Sequence, residues 1–178
     1  MNAVTTWSLE QTSAADLISV RVPEAATSGD LSIVRVEIPS PELNCLLYAV
    51  VGAGFDWSER REWTPGQWLA FVSKPGVETW LVYERGTPAG YIELDPQPDG
   101  AVEITQFGLL PAFQGRGIGG YLLSYGTARA WDLAKRWEHR EPTKRVWLHT
   151  CSKDSPHALG NYERRGFRVF DTKTEQAE

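Results

Sequence analysis

The stretch Gln114-Gly-Arg-Gly-Ile-Gly-Gly120 sets four glycines and one arginine into seven positions, directly ahead of the apolar, tyrosine-rich run Tyr121-Leu-Leu-Ser-Tyr125. Ile118, Tyr121, Leu122, Tyr125 and Leu133 recur at helical spacing, so the glycines stand at the start of a helix. Main-chain amides at such a start attract anions whatever molecule carries the phosphate, and glycines let the ligand approach the backbone. A glycine-rich turn with no ligand leaves unexplained why so many residues that are costly to order are gathered there.

Element order decides which phosphate loop this is. Gly115, Gly117 and Gly120 satisfy the dinucleotide fingerprint, but that fingerprint follows the first strand of a parallel sheet and needs an acidic residue after a second strand. Here four or five strands come first, and Asp132 sits inside the helix. A P-loop requires Lys and then Ser or Thr after its last glycine. Gly119 is followed by Gly120 and Tyr121, which excludes it.

Upstream, Leu17–Val22 and Leu31–Ile38 read as strands joined by the turn Thr27–Asp30, a hairpin within residues 15–38 that extends the sheet. Ser40 followed by Pro41 opens a helix through Leu43, Leu46, Leu47 and Val50, and Thr64 with Pro65 opens a shorter one through Trp68, Leu69 and Val72. Residues 79–83, 89–94 and 101–107 form an antiparallel meander. Beyond the glycine loop and its helix come a strand at Arg145–Thr150, a helix starting at Ser155 and a final strand at Phe167–Phe170. The fold class is α+β, a single domain over residues 1–178.

Composition narrows the partners. With 18 Lys plus Arg against 23 Asp plus Glu, the chain carries a net charge of −5, which disfavours nucleic acid. No apolar run reaches the ~18 residues of a membrane span, and the start lacks the basic flank and apolar core of a secretory signal. Cys45 and Cys151 make no disulfide framework and read as reduced thiols of a cytoplasmic protein. His149, Cys151 and His157 lack a fourth ligand, so no metal site is expected.

Gln114-Gly-Arg-Gly-Ile-Gly119 resembles the Gln/Arg-x-x-Gly-x-Gly/Ala signature of the GNAT acetyltransferase superfamily. Phe107-Gly-Leu-Leu-Pro111 is similar to the strand end that leads into that loop. Ala158 and Leu159, followed by Tyr162-Glu-Arg-Arg-Gly-Phe167, resemble the last block of the family, with Ser155 where an asparagine often begins it. The resemblance covers roughly residues 30–172. It implies a mixed, mostly antiparallel sheet of six to seven strands, helices on both faces and a parallel splayed pair beside a coenzyme cleft. It also implies acetyl-CoA as cosubstrate, direct transfer of acetyl to a primary amine of a small molecule or peptide, and no covalent enzyme intermediate. The rival reading is an inactive coenzyme-A-binding sensor or assembly module.

On that resemblance the coenzyme contacts are Phe107, Gly108, Leu109, Leu110, Gln114, Gly115, Arg116, Gly117, Ile118, Gly119, Gly120, Asn161 and Tyr162, with the Leu109 amide polarising the carbonyl. Tyr162 is the acid for the leaving thiolate, since a phenol of pKa ~10 stays neutral while it donates. Glu103 is the base, with Glu93 and His149 in reserve. Arg164 and Arg165 either reach the nucleotide end or form a solvated helix end. The segment between the first two helices bounds the acceptor, and Trp57, Glu59, Trp63, Trp68 and His149 are its expected ligands, because rings and carboxylates hold cationic amines. Exposed sheet edges would allow a homodimer.

Overall fold

Ser40 and Thr64 cap helices where the sequence places them. In the computed structural model, which describes residues 3–55 and 57–176, the Ser40 hydroxyl accepts from the Leu43 amide and Thr64 forms a reciprocal capping box with Gln67. They open α2 (Pro41–Gly52) and α3 (Pro65–Val72), which follow a single helical turn, α1 (Glu24–Thr27). The glycine loop leads into α4 (Ile118–Trp131), and α5 spans Ala158–Glu163.

Seven strands form one sheet: β1 (Ala3–Gln11), β2 (Leu31–Arg35), β3 (Glu78–Glu84), β4 (Thr87–Pro96), β5 (Ala101–Leu109), β6 (Arg145–Cys151) and β7 (Arg168–Gln176). Their order is β2-β3-β4-β5-β6-β1-β7. The expected meander is β3-β4-β5, with β2 antiparallel on its edge. Among the described residues only β5 and β6 run parallel. A large core of Ile92, Leu94, Val102, Ile104, Leu122 and Leu123 lies on the α4 face, and a smaller one of Leu47, Val51, Leu81 and Tyr91 lies under α2.

The N-terminal hairpin is a correction. Leu17–Val22 joins no strand of the sheet; it runs past the start of α4, with the Ile18 amide donating to the Arg165 carbonyl at 3.2 Å. Ile18 and Val22 are exposed, so the β-branched run buries too little to form a strand, and β2 pairs with β3 instead. The strand the sequence did not reveal is β1. It lies between β6 and β7, antiparallel to both, with Leu9 and Gln11 fully buried. The buried Gln11 amide accepts from the Trp131 indole at 2.8 Å and donates to the Arg165 carbonyl at 2.8 Å, so burial leaves neither end unpaired.

Candidate active site

β5 and β6 pair only from Ala101 opposite Arg145 to Glu103 opposite Trp147, and then diverge. The divergence opens a cleft of about 710 Å³, within the range of small-molecule sites. Phe107, Gly108 and Leu109 line one wall, and His149, Cys151, Asn161 and Tyr162 the other. The start of α4 closes one end through Gln114, Gly115, Gly117, Gly119 and Gly120.

This helix start is built from backbone. Gly117 is its N-cap at φ 81°, a left-handed conformation that a side chain would strain, and no side chain caps the helix. Intrahelical bonding begins with the Tyr121 amide, which donates to the Gly117 carbonyl at 3.2 Å. The amides of Ile118, Gly119 and Gly120 therefore have no acceptor within the helix. Beside them, Arg165 Nε is buried without a hydrogen-bond partner, and a Cβ on Gly120 would stand 3.4 Å from Arg165 Nη2. Burial, and then the neighbouring Arg164 cation, push the Arg165 guanidinium down from its ordinary value. Orphaned amides, and a guanidinium whose Nη1 donates to the Arg164 carbonyl while its buried Nε has no partner, suit an anionic ligand such as a diphosphate.

The opposite end is built from side chains. His149 Nε2 lies 3.2 Å from Glu59 Oε1, and Nδ1 lies 3.6 Å from Glu103 Oε1. Pairing with Glu103, and next with Glu59, pushes the imidazole up to about 10. The hydrogen bond from His149 in turn holds the Glu59 carboxyl below its usual range. Tyr162 is buried against Phe107 and Phe167; desolvation, and then the Asp154 carboxylate, push its phenol well above 10. It remains protonated throughout the physiological range.

A family model described as "Acetyltransferase (GNAT) family" matches residues 42–167. The chain belongs to the GNAT acetyltransferase family. Its fold is that of a GCN5-related N-acetyltransferase from Kribbella flavida, with TM-score 0.64 and 18% identity over 94% of this chain and 55% of that one. It is also similar to an IAA acetyltransferase from Bacillus cereus, with TM-score 0.54, 24% identity and 79% of each chain covered. A third likeness, at TM-score 0.57 and 13% identity over 76% of this chain and 87% of that one, is an aminoglycoside acetyltransferase from a soil metagenome in complex with sisomicin. The chain spans about half the length of the first solved structures it matches. No curated protein matches it significantly.

Set on this GNAT frame, the residues nominated from sequence divide by place. Phe107, Gly108, Leu109, Gln114, Gly115, Gly117, Gly119, Gly120, Asn161 and Tyr162 line the cleft, as do Trp57, Glu59 and His149. Leu110 packs against the core under α2, and Ile118 is buried in the core on the α4 side. Arg116 turns outward and is held by Glu84, with Nη1 donating to Oε2 at 2.7 Å, so the loop acts through its main chain. Glu103 is not a lining residue; His149 stands between it and the cleft.

Trp63 and Trp68 do not line the cleft. Arg60 sits over both rings and over Phe71, at 4.7, 5.7 and 4.2 Å. The cation these aromatics hold belongs to the protein itself. Glu93, the reserve base, is sealed in the same network: it accepts from Arg60 at 2.7 Å, Asn44 at 2.8 Å and Thr105 at 2.6 Å.

Sequence reasoning missed Thr6 and Val4 on β1 and Lys173 and Glu175 on β7, which line the cleft and pair with one another in register. The alternation of Val4, Thr6 and Ser8 with Thr5, Trp7 and Leu9 was the available signal. Asp56 lies outside the described residues. Among the described residues no cluster of three His, Cys, Asp or Glu is arranged to hold a metal, and no helix is long and apolar enough to cross a membrane.

Proposed function

We propose that the protein is an acetyl-CoA-dependent N-acetyltransferase that passes acetyl directly to a primary amine of a small molecule or peptide. The observation that carries this reading is the uncapped, glycine-built start of α4 facing a cleft between splayed parallel strands. When bound there, the coenzyme supplies an acetyl group activated on a thioester sulfur.

The chain's own groups have distinct tasks. The amides of Ile118, Gly119 and Gly120 hold the diphosphate, with Arg165 as the nearest guanidinium. The main chain of Phe107 to Leu109, which loses its β6 partner beyond Glu103, receives the pantetheine arm as an added strand. The Leu109 amide polarises the carbonyl as negative charge develops on its oxygen. Tyr162, neutral in its apolar pocket, presents its O–H to the departing sulfur. Its burial keeps the phenol protonated, so it meets the developing thiolate as a hydrogen-bond donor. Glu103 supplies the negative charge that draws the ammonium proton from the acceptor, acting from behind His149.

The test is a panel of primary amines incubated with acetyl-CoA while thiol release is followed, with coenzyme affinity measured by calorimetry. Tyr162→Phe is expected to lower turnover about 100-fold with affinity nearly unchanged. Gly117→Ala is expected to weaken coenzyme binding about tenfold, because a Cβ strains the left-handed cap and misaims the amides. Coenzyme binding beside a wholly inactive panel would identify a sensor instead.

A further inference from the structure

The acceptor end of the cleft holds a chain of groups whose direction is fixed by chemistry. An indole N–H can only donate. Trp147 Nε1 donates to Gln97 Oε1 at 2.9 Å, which turns the Gln97 NH2 toward Glu103 Oε2 at 2.6 Å. The other oxygen of Glu103 faces His149 Nδ1 at 3.6 Å. Glu103 therefore selects the ring orientation with its proton on Nδ1, leaving Nε2 toward the cleft mouth and Glu59.

The two carboxylates differ in freedom. The Glu103 side chain is 13% exposed and held from behind, whereas that of Glu59 is 65% exposed on the irregular segment between α2 and α3. Around the imidazole, Arg60 adjoins Glu59 in sequence, Trp147 and Cys151 share its face of β6, and uncharged Ser8 lies across on β1. Lys153 lines the same cleft further along.

Resting on the acetyl-transfer reading, we infer that His149 Nε2 takes the proton from the acceptor amine, that Glu103 is its positioning residue, and that Glu59 is a displaceable cap on Nε2. While capped, the imidazole is clamped between two carboxylates and keeps both ring protons, so it cannot accept another. A cationic acceptor competes for the exposed Glu59 carboxylate. As Glu59 leaves, Nε2 loses its proton to solvent and turns a lone pair to the cleft. The acceptor ammonium then passes one proton to Nε2 and becomes the neutral amine. After transfer the imidazolium returns that proton to water.

The test combines imidazole NMR with pH–rate profiles on the intact protein, using His149→Gln to assign the resonance. His149 is expected to titrate near pH 10 in the native protein. In Glu59→Gln it should titrate at least about one unit lower, and Glu59→Ala should reproduce the shift. The rising limb of kcat/KM for a panel amine should move by the same amount, while loss of the Glu59 carboxylate weakens capture of the cationic acceptor. In Glu103→Gln, kcat should fall about tenfold with the KM for acetyl-CoA unchanged, and in His149→Gln the limb should disappear. A limb that persists in His149→Gln, or stays in place in both Glu59 variants, overturns the inference. Turnover with an unmoved limb removes only this proton route, whereas coenzyme binding without any turnover removes the acetyl-transfer reading beneath it.

Discussion

Glu93 and Glu103 sit on adjacent strands of one sheet, and they were the two strand carboxylates nominated for the same task. Glu93 is buried at 1% exposure and surrounded by donors from α2, β5 and the segment before α3. Glu103 has one firm donor behind it and a histidine in front. The first is a closed network that fixes where α2 lies on the sheet; the second reaches the cleft through His149. A strand carboxylate becomes chemically available through what it lacks, namely a full set of partners.

Variants that remove one partner from each glutamate measure that difference. Arg60→Ala leaves Glu93 charged and buried without its cation and empties the aromatic cage. We expect a stability loss of about 3–5 kcal/mol, read as a Tm lower by roughly 10 °C, with coenzyme affinity retained in the folded fraction. Gln97→Leu takes the donor from Glu103 and leaves the Trp147 indole unpaired. Its stability cost is about 1 kcal/mol, so thermal unfolding barely moves while turnover falls. A large Tm drop in Gln97→Leu, or a small one in Arg60→Ala, would erase the distinction.

A smaller effect appears in the pH dependence of stability. The His149 imidazole is raised from 6.5 to about 10, so its contribution is complete below pH 6.5 and is lost as pH rises through about 10. The Glu59 carboxyl is lowered, so its contribution is present above its unfolded pKa near 4.5 and is lost as pH falls. Denaturation midpoints should therefore decline between pH 6.5 and 10, and Glu59→Gln should flatten that decline. The least effect belongs to a third glutamate, Glu84, whose partner Arg116 is exposed. Arg116→Ala should change coenzyme affinity by less than about threefold in calorimetry.

What the sequence could show follows from the range of the forces involved. Caps at Ser40 and Thr64, turns of the meander and the glycine helix start are local, and they stand where the residues place them. The GNAT frame was legible because its motif is written in backbone requirements. The errors are non-local. Arg116 meets a carboxylate 32 residues away, and Arg60 occupies rings that would equally have suited an external amine. Leu17–Val22 has the composition of a strand, yet the polar Ala3–Gln11 won the place between β6 and β7. One face of that place lines the cleft through Val4 and Thr6, where polar residues are tolerated.

The position of β1 also bears on how the molecule is made. Both of its neighbours lie more than a hundred residues downstream, so during synthesis it waits for its partners. Such distant pairing slows folding. Until β7 has been made this wall of the cleft cannot be completed, and a nascent chain stalled before it would carry an unpaired, adhesive edge.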